Sequence, residues 1–203
     1  MPEIIRSFSQ GDDIWFTERI ASLGGSSIAS AVAGGQGKTR NSLLYRMAGE
    51  ILTGQKYEGY QNDHMLRGLE QEPDAIATYE WEMDCEVERV AMVRMSPHKH
   101  FSPDSLVGND GIIEVKAQIP SVHIETILHD KVPAAYRKQC AWGLHVCERK
   151  WIDFISYSPS VKDRPIWIKR TGRDEKLIKE LDEGADKFIT ELLMIVERIK
   201  NGK

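Results

Sequence analysis

The chain has 203 residues, 41% of them hydrophobic, with a formal net charge of −4 and three cysteines. That length supports one well-buried domain, 1–203, and is short for two, while the odd cysteine count without a Cys-x-x-Cys pair excludes a disulfide framework or zinc ribbon and leaves Cys85, Cys140 and Cys147 as reduced thiols. With no basic-then-apolar leader and no run of about 18 apolar residues, a soluble cytoplasmic protein is expected; the acidic balance is unlike a surface that grips a polyanion everywhere, but allows basic groups confined to one groove.

Taken in chain order, Asp12 or Asp13 is placed to cap a first helix that puts Trp15 and Arg19 four residues apart on one face. Gly24-Gly-Ser-Ser breaks the chain, and Ser26 or Ser27 is expected to cap a second short helix over 28–33. A helix N-terminus with hydroxyls near an arginine suits a phosphate, although on these residues alone a plain capped helix is the simpler reading. The stretch Ala33-Gly-Gly-Gln-Gly-Lys-Thr-Arg40 fails the phosphate-loop pattern: Val32 stands where its first glycine belongs, and no strand precedes it. It reads as a flexible glycine-rich loop offering Lys38 and Arg40 to a polyanion.

Apolar residues at 43, 44, 47, 48, 51 and 52 predict a helix over 41–52 that Gly54 ends. A longer helix is predicted over 63–81, with Pro73 as a kink or break and with Gly68 and Glu72 one turn apart. Strands follow at 86–95, 101–107 and 111–118, with Pro97-His-Lys-His100 as an exposed turn. Helices at 121–129 and 133–147, strands at 151–157 and 165–169, and a charged amphipathic helix over 174–200 complete the chain. The predicted fold class is α/β, one mixed β-sheet flanked by helices.

The stretch that carries chemistry is Phe101-Ser-Pro-Asp-Ser-Leu-Val-Gly-Asn-Asp-Gly-Ile-Ile-Glu-Val-Lys116. Two apolar runs joined by Gly108-Asn-Asp-Gly111 read as a β-hairpin. The period of two puts Glu114 and Lys116 on one face and Val115 on the other, with Asp104 arriving from the neighbouring strand. Two acids and a lysine converging at strand ends are what metal-assisted phosphodiester cleavage needs: carboxylate oxygens for Mg²⁺ and an ammonium to steady developing charge. A solvated hairpin face with an ordinary salt bridge would use the same residues; the apolar setting of Leu106-Val107 and Ile112-Ile113 favours the chemical reading. Pro-Asp, a spacer and Glu-x-Lys form the pattern of the PD-(D/E)xK nuclease superfamily, with its restriction-endonuclease-like core.

Over most of its length the chain resembles the lambda-exonuclease or YqaJ-type family of viral recombination nucleases. The residues that carry the resemblance are Gln10-Gly-Asp-Asp-Ile-Trp15 with Arg19 and Ser26, Gly68-Leu-Glu-Gln-Glu72, Ser102-Pro-Asp104, Glu114-Val-Lys116, Tyr136-Arg-Lys-Gln139 and the strand from Trp151 to Pro159. The resemblance implies that Asp104 and Glu114, with the Val115 carbonyl, hold two Mg²⁺ ions, for which Mn²⁺ can substitute, and that Glu72 completes the second site. It implies further that Lys116 and Gln139 position the attacking water, that Arg19, Ser26 and Ser102 cradle a 5′-phosphate, and that Trp15 wedges against the duplex end. Three features depart from the family pattern. Ser105 follows Pro-Asp where glycine is usual, Gly24-Gly25 replace Thr-Ala, and the basic loop residue is displaced, with Gln36 near its place.

The activity so implied is Mg²⁺-dependent 5′-to-3′ digestion of double-stranded DNA ends, leaving 3′ overhangs for recombination. A homotrimeric ring, a single-strand annealing protein as partner, and a phage or prophage origin in a bacterial host come with the same resemblance. A structure-selective or restriction-type endonuclease, and a DNA-binding protein without catalysis, are the competing readings.

Overall fold

The computed structural model describes residues 1–34, 37–57 and 63–202. Its strands form two sheets. One is antiparallel, with β1 (Glu3–Ile5), β2 (Met92–Ser96) and β3 (Lys99–Phe101) in that order; the other runs β4 (Ser105–Val107), β5 (Gly111–Ala117), β6 (Trp151–Tyr157) and β7 (Ile166–Gly172). Among the described strands only the β5–β6 pair is parallel. The single mixed sheet expected from the sequence is therefore split, and the strand predicted over 101–107 is two strands. Pro103 lies at the break, where a residue without an N–H cannot continue a ladder. The strand predicted over 86–95 begins only at Met92, preceded by one bridge between Glu88 and Leu106.

Helices α1 (Asp13–Thr17), α2 (Gly25–Ala31), α3 (Lys38–Thr53) and α4 (Asp63–Met83) precede β2, and α5 (Pro120–His129) and α6 (Ala134–Val146) join β5 to β6. Helix α7 (Glu175–Lys200) closes the fold. Its buried residues Ile178, Leu181, Ala185, Phe188, Ile189, Leu192 and Val196 recur at three- and four-residue steps, and the Asp174 carboxylate caps it by accepting the Leu177 N–H at 3.0 Å. Burying each large apolar side chain of that stripe contributes about 1.5–3 kcal/mol. Pro73 sits inside α4 without ending it.

The four-stranded sheet has a core on each face. Ile112, Ile152 and Phe154 join the large cluster with α2, α3, α6 and α7, whereas Ile113, Val115, Ile155 and Tyr157 pack with Ala75, Ile76 and Tyr79 of α4. Asp153 is fully buried on the α4 side, accepting the Tyr79 hydroxyl at 2.7 Å and the Arg170 guanidinium at 2.8 and 2.9 Å. This network pins α4, and so Glu72, against the sheet. Among the described residues no helix is long and apolar enough to cross a membrane.

Candidate active site

The predicted hairpin forms as expected, β4 pairing antiparallel with β5 through Ser105↔Ile113 and Val107↔Gly111, around a turn in which Gly108 takes φ +50°. Asp104, just before β4, accepts the Val115 N–H through Oδ2 at 2.5 Å, which fixes its carboxylate beside β5. Glu114 is 2% exposed and faces α6. Its Oε1 accepts from Lys116 Nζ and, at 2.5 Å, from Gln139 Nε2. Gln139 and Lys116 are thus brought together on one carboxylate oxygen. The Lys116 ammonium also lies 5.3 Å from the Tyr136 ring centroid, within cation–π range.

Electrostatics tie Glu72 to this group. Burial raises the pKa of Asp104 well above the usual carboxylate range, and the charges of Glu114 and Glu72 raise it further. Glu72 is also raised, by burial first and against the pull of Arg89, with Glu114 adding to the rise. For Lys116 burial opposes the charge, but Glu114 and Asp104 outweigh it and hold the group as an ammonium. Gly68, one turn before Glu72, faces open space: a Cβ there would meet nothing within 4 Å. Among the described residues no three His, Cys, Asp or Glu side chains stand as a ready-made metal cage. The donor chemistry nonetheless fits a hard dication, because all three acids offer oxygen, and the burial and mutual repulsion that lift Asp104 are what a cation would offset.

The residues expected to hold a phosphate divide. Arg19 and Ser26 line a common cavity of about 170 Å³ together with Arg46, Lys56, Ser22 and His100. Arg46 and Lys56 were not singled out from the sequence; Arg46 shows there only as one more polar residue of α3, bonded at 3.1 Å to Glu50 one turn on. Burial and the nearby Arg46 charge bring Arg19 down to about 10. Ser102 is not among the lining residues; its hydroxyl accepts the Trp15 indole N–H at 3.1 Å.

Three expectations change. Trp15 is half-buried against Ile5, Ala91 and Met92, its N–H also donated to the Ala91 carbonyl at 3.1 Å and its ring covered by Arg19 at 3.8 Å. It props the arginine and Ser102, and is not placed as a bare blade. Arg40 is drawn away from any polyanion: α3 already begins at Lys38, and the Arg40 guanidinium is 2.7 Å from Glu191 of α7 and stacked toward Phe188. Lys38 stays exposed at the start of α3, and Gly35 and Gln36 lie outside the described residues. Helix α2 is capped at Gly24, not at Ser26 or Ser27, with Ser27 Oγ reaching back to the Gly24 N–H at 3.2 Å.

Residues 14–150 match the YqaJ-like viral recombinase domain. The chain belongs to that family. It is 30% identical to the alkaline exonuclease LHK-Exo from Laribacter hongkongensis, with a TM-score of 0.87 over 94% of this chain and 97% of the other. The same enzyme in complex with dAMP superposes with a TM-score of 0.88 at the same identity and coverage. A phage-related exonuclease from Haemophilus somnus 129PT shares the fold at 17% identity, with a TM-score of 0.70 over 88% of this chain and 96% of that one. No curated protein matches. One strip of chain touches both groups of residues: His100 borders the cavity and Asp104 joins the acids, with their Cα atoms at most about 14 Å apart even if fully extended.

Proposed function

We propose that this YqaJ-type recombinase, over residues 1–203 as one domain, is a Mg²⁺-dependent exodeoxyribonuclease that digests duplex DNA from its 5′ ends. The observation that carries the reading is the adjacency just described: a three-carboxylate, one-lysine cluster beside a small cavity lined by Arg19, Arg46, Lys56 and Ser26. An endonuclease needs only the first. Similarity to an alkaline exonuclease that has been crystallised with dAMP supports it, since a deoxynucleoside monophosphate is the form in which an exonuclease releases its strand.

Asp104 and Glu114, with the Val115 carbonyl and with Glu72 on the far side, are the residues to hold the ions. Bound there, Mg²⁺ supplies Lewis-acid polarisation of the scissile phosphate and a more acidic water. Lys116 and Gln139, both anchored on Glu114, orient the water and steady charge on the phosphate. Arg19 and Ser26 bind the terminal 5′-phosphate, each charge-assisted hydrogen bond contributing about 1.5–3 kcal/mol. That pull draws each new end forward after a cut and leaves a 3′ overhang. A homotrimeric ring around the duplex, an annealing protein that takes up the 3′ strand, Mn²⁺ serving in place of Mg²⁺, and work in the cytoplasm of a phage's bacterial host complete the reading.

Linear 5′-phosphorylated duplex should be degraded with Mg²⁺ and spared with a chelator, while a covalently closed circle of the same sequence survives both. Nicking or cutting of the circle would replace the exonuclease with an endonuclease.

A further inference from the structure

His100, which the sequence presents as part of an exposed turn, is 2% exposed and lines the cavity that holds Arg19 and Ser26. Its Nε2 lies 3.1 Å from Arg19 Nε and its Nδ1 lies 2.8 Å from Ser22 Oγ. A guanidinium Nε–H can only donate. The ring must therefore present a lone pair at Nε2, which leaves its single proton on Nδ1, donated to Ser22. Space is made for this arrangement by Gly24, where a Cβ would come within 2.6 Å of His100 Nε2. Its neighbour Gly25 likewise gives way to the Phe101 ring and the Gln139 stem. The Gly24-Gly25 pair, a departure from the family's usual residues, thus follows from what β3 packs against the start of α2.

We propose that His100 is the positioning residue of the cavity, a neutral acceptor that locks the Arg19 guanidinium by its Nε–H so that its four terminal N–H donors serve a phosphate monoester. The inference rests on the 5′-phosphate reading of the cavity. Burial, followed by the charges of Arg19 and Arg94, lowers the His100 pKa to about 3, so the ring stays neutral at the pH of any nuclease assay. A protonated ring would set N–H against N–H. Without the acceptor, Arg19 keeps its charge but loses its direction, and direction is what distinguishes a terminal phosphate monoester from a backbone diester or a hydroxyl.

The test is the ratio of initiation rates on 5′-phosphoryl and 5′-hydroxyl duplex ends, measured for wild type, His100→Leu and His100→Gln. Leucine fills similar space without an acceptor and should cut the ratio roughly tenfold, the equivalent of one oriented hydrogen bond. Glutamine carries an amide oxygen to the Nε2 position and should restore most of the ratio. An unchanged ratio in His100→Leu overturns the role of His100 while leaving the cavity's assignment standing. A wild-type ratio near unity overturns the assignment itself. Long-range ¹H–¹⁵N correlations on the wild-type protein give a second reading that does not depend on the variants folding. They should show protonated Nδ1 and bare Nε2; the reverse tautomer overturns the proposal.

Discussion

The acid cluster and the cationic cavity gather charges of opposite sign, the cavity's arginines offset in part by Glu50, and one short stretch of chain from His100 to Asp104 touches both. At the first, burial and the neighbouring Glu114 and Glu72 raise Asp104; at the second, burial and Arg46 lower Arg19 to about 10. Crowded like charge is unfavourable for the protein alone and is relieved by a ligand of the other sign, a divalent cation in one case and a phosphate in the other. They differ in how their geometry is held. Asp104 is fixed by the covalent course of a hairpin and a backbone N–H. Arg19 hangs on a flexible side chain held between the Trp15 ring and a neutral histidine. A carboxylate placed by a hairpin and a backbone N–H should withstand loss of a neighbour better than a guanidinium placed by packing.

The largest effect belongs to the hairpin. Asp104→Asn should lower cleavage by a factor on the order of 10³. The melting temperature of the metal-free protein should hold or rise, because the amide oxygen can still accept the Val115 N–H and a neutral group ends the repulsion with Glu114. Residual activity of more than a few per cent would remove Asp104 from the site. Next comes Lys116→Ala, expected to cost about 10² in turnover with DNA affinity nearly unchanged, since the ammonium acts on developing charge. Parallel losses in affinity and turnover would make Lys116 a backbone-phosphate contact instead.

A smaller effect separates the two regions by pH. His100 has its native pKa depressed from 6.5 to about 3, so the unfolded chain binds a proton that the fold does not. Its contribution to stability is complete above pH 6.5 and is lost as the pH falls toward 3. Asp104 and Glu72 have raised native pKa values. Their contribution is present at low pH and is lost as the pH rises through those values. Urea unfolding of the metal-free protein across this range should show His100→Gln flattening the acid-side loss and Asp104→Asn lessening the loss at higher pH. Identical curves for both variants and wild type would mean that neither cluster carries the charge strain described.

The hairpin was legible because local signals agreed: Gly108-Asn-Asp-Gly111 for the turn, β-branched residues for the strands, and a period of two that places Glu114 and Lys116 together. Helix α7 was legible through its stripe of apolar residues. Features set by distant partners were not. Strand β1 is three residues long and exists only through pairing with β2, some ninety positions on. Arg40 is taken up by Glu191, and Trp15 by Ala91 and Ser102, all remote in sequence. His100 looked like a turn residue because Pro97-His-Lys-His100 has turn composition, whereas β3 begins at Lys99 and carries the ring beneath α2. Arg46 belongs to α3, yet only the tertiary fold brings it to Arg19.

The central claim is that the cationic cavity reads the 5′ end for the acid cluster. The most direct measurement is single-turnover initiation on duplexes that differ only in a 5′-phosphate or a 5′-hydroxyl, for wild type and Arg19→Ala. Wild type should favour the phosphate by roughly ten- to a hundredfold, the worth of one or more charge-assisted hydrogen bonds, and Arg19→Ala should erase most of that preference while still cleaving. Equal initiation on both ends by the wild-type protein would contradict the account.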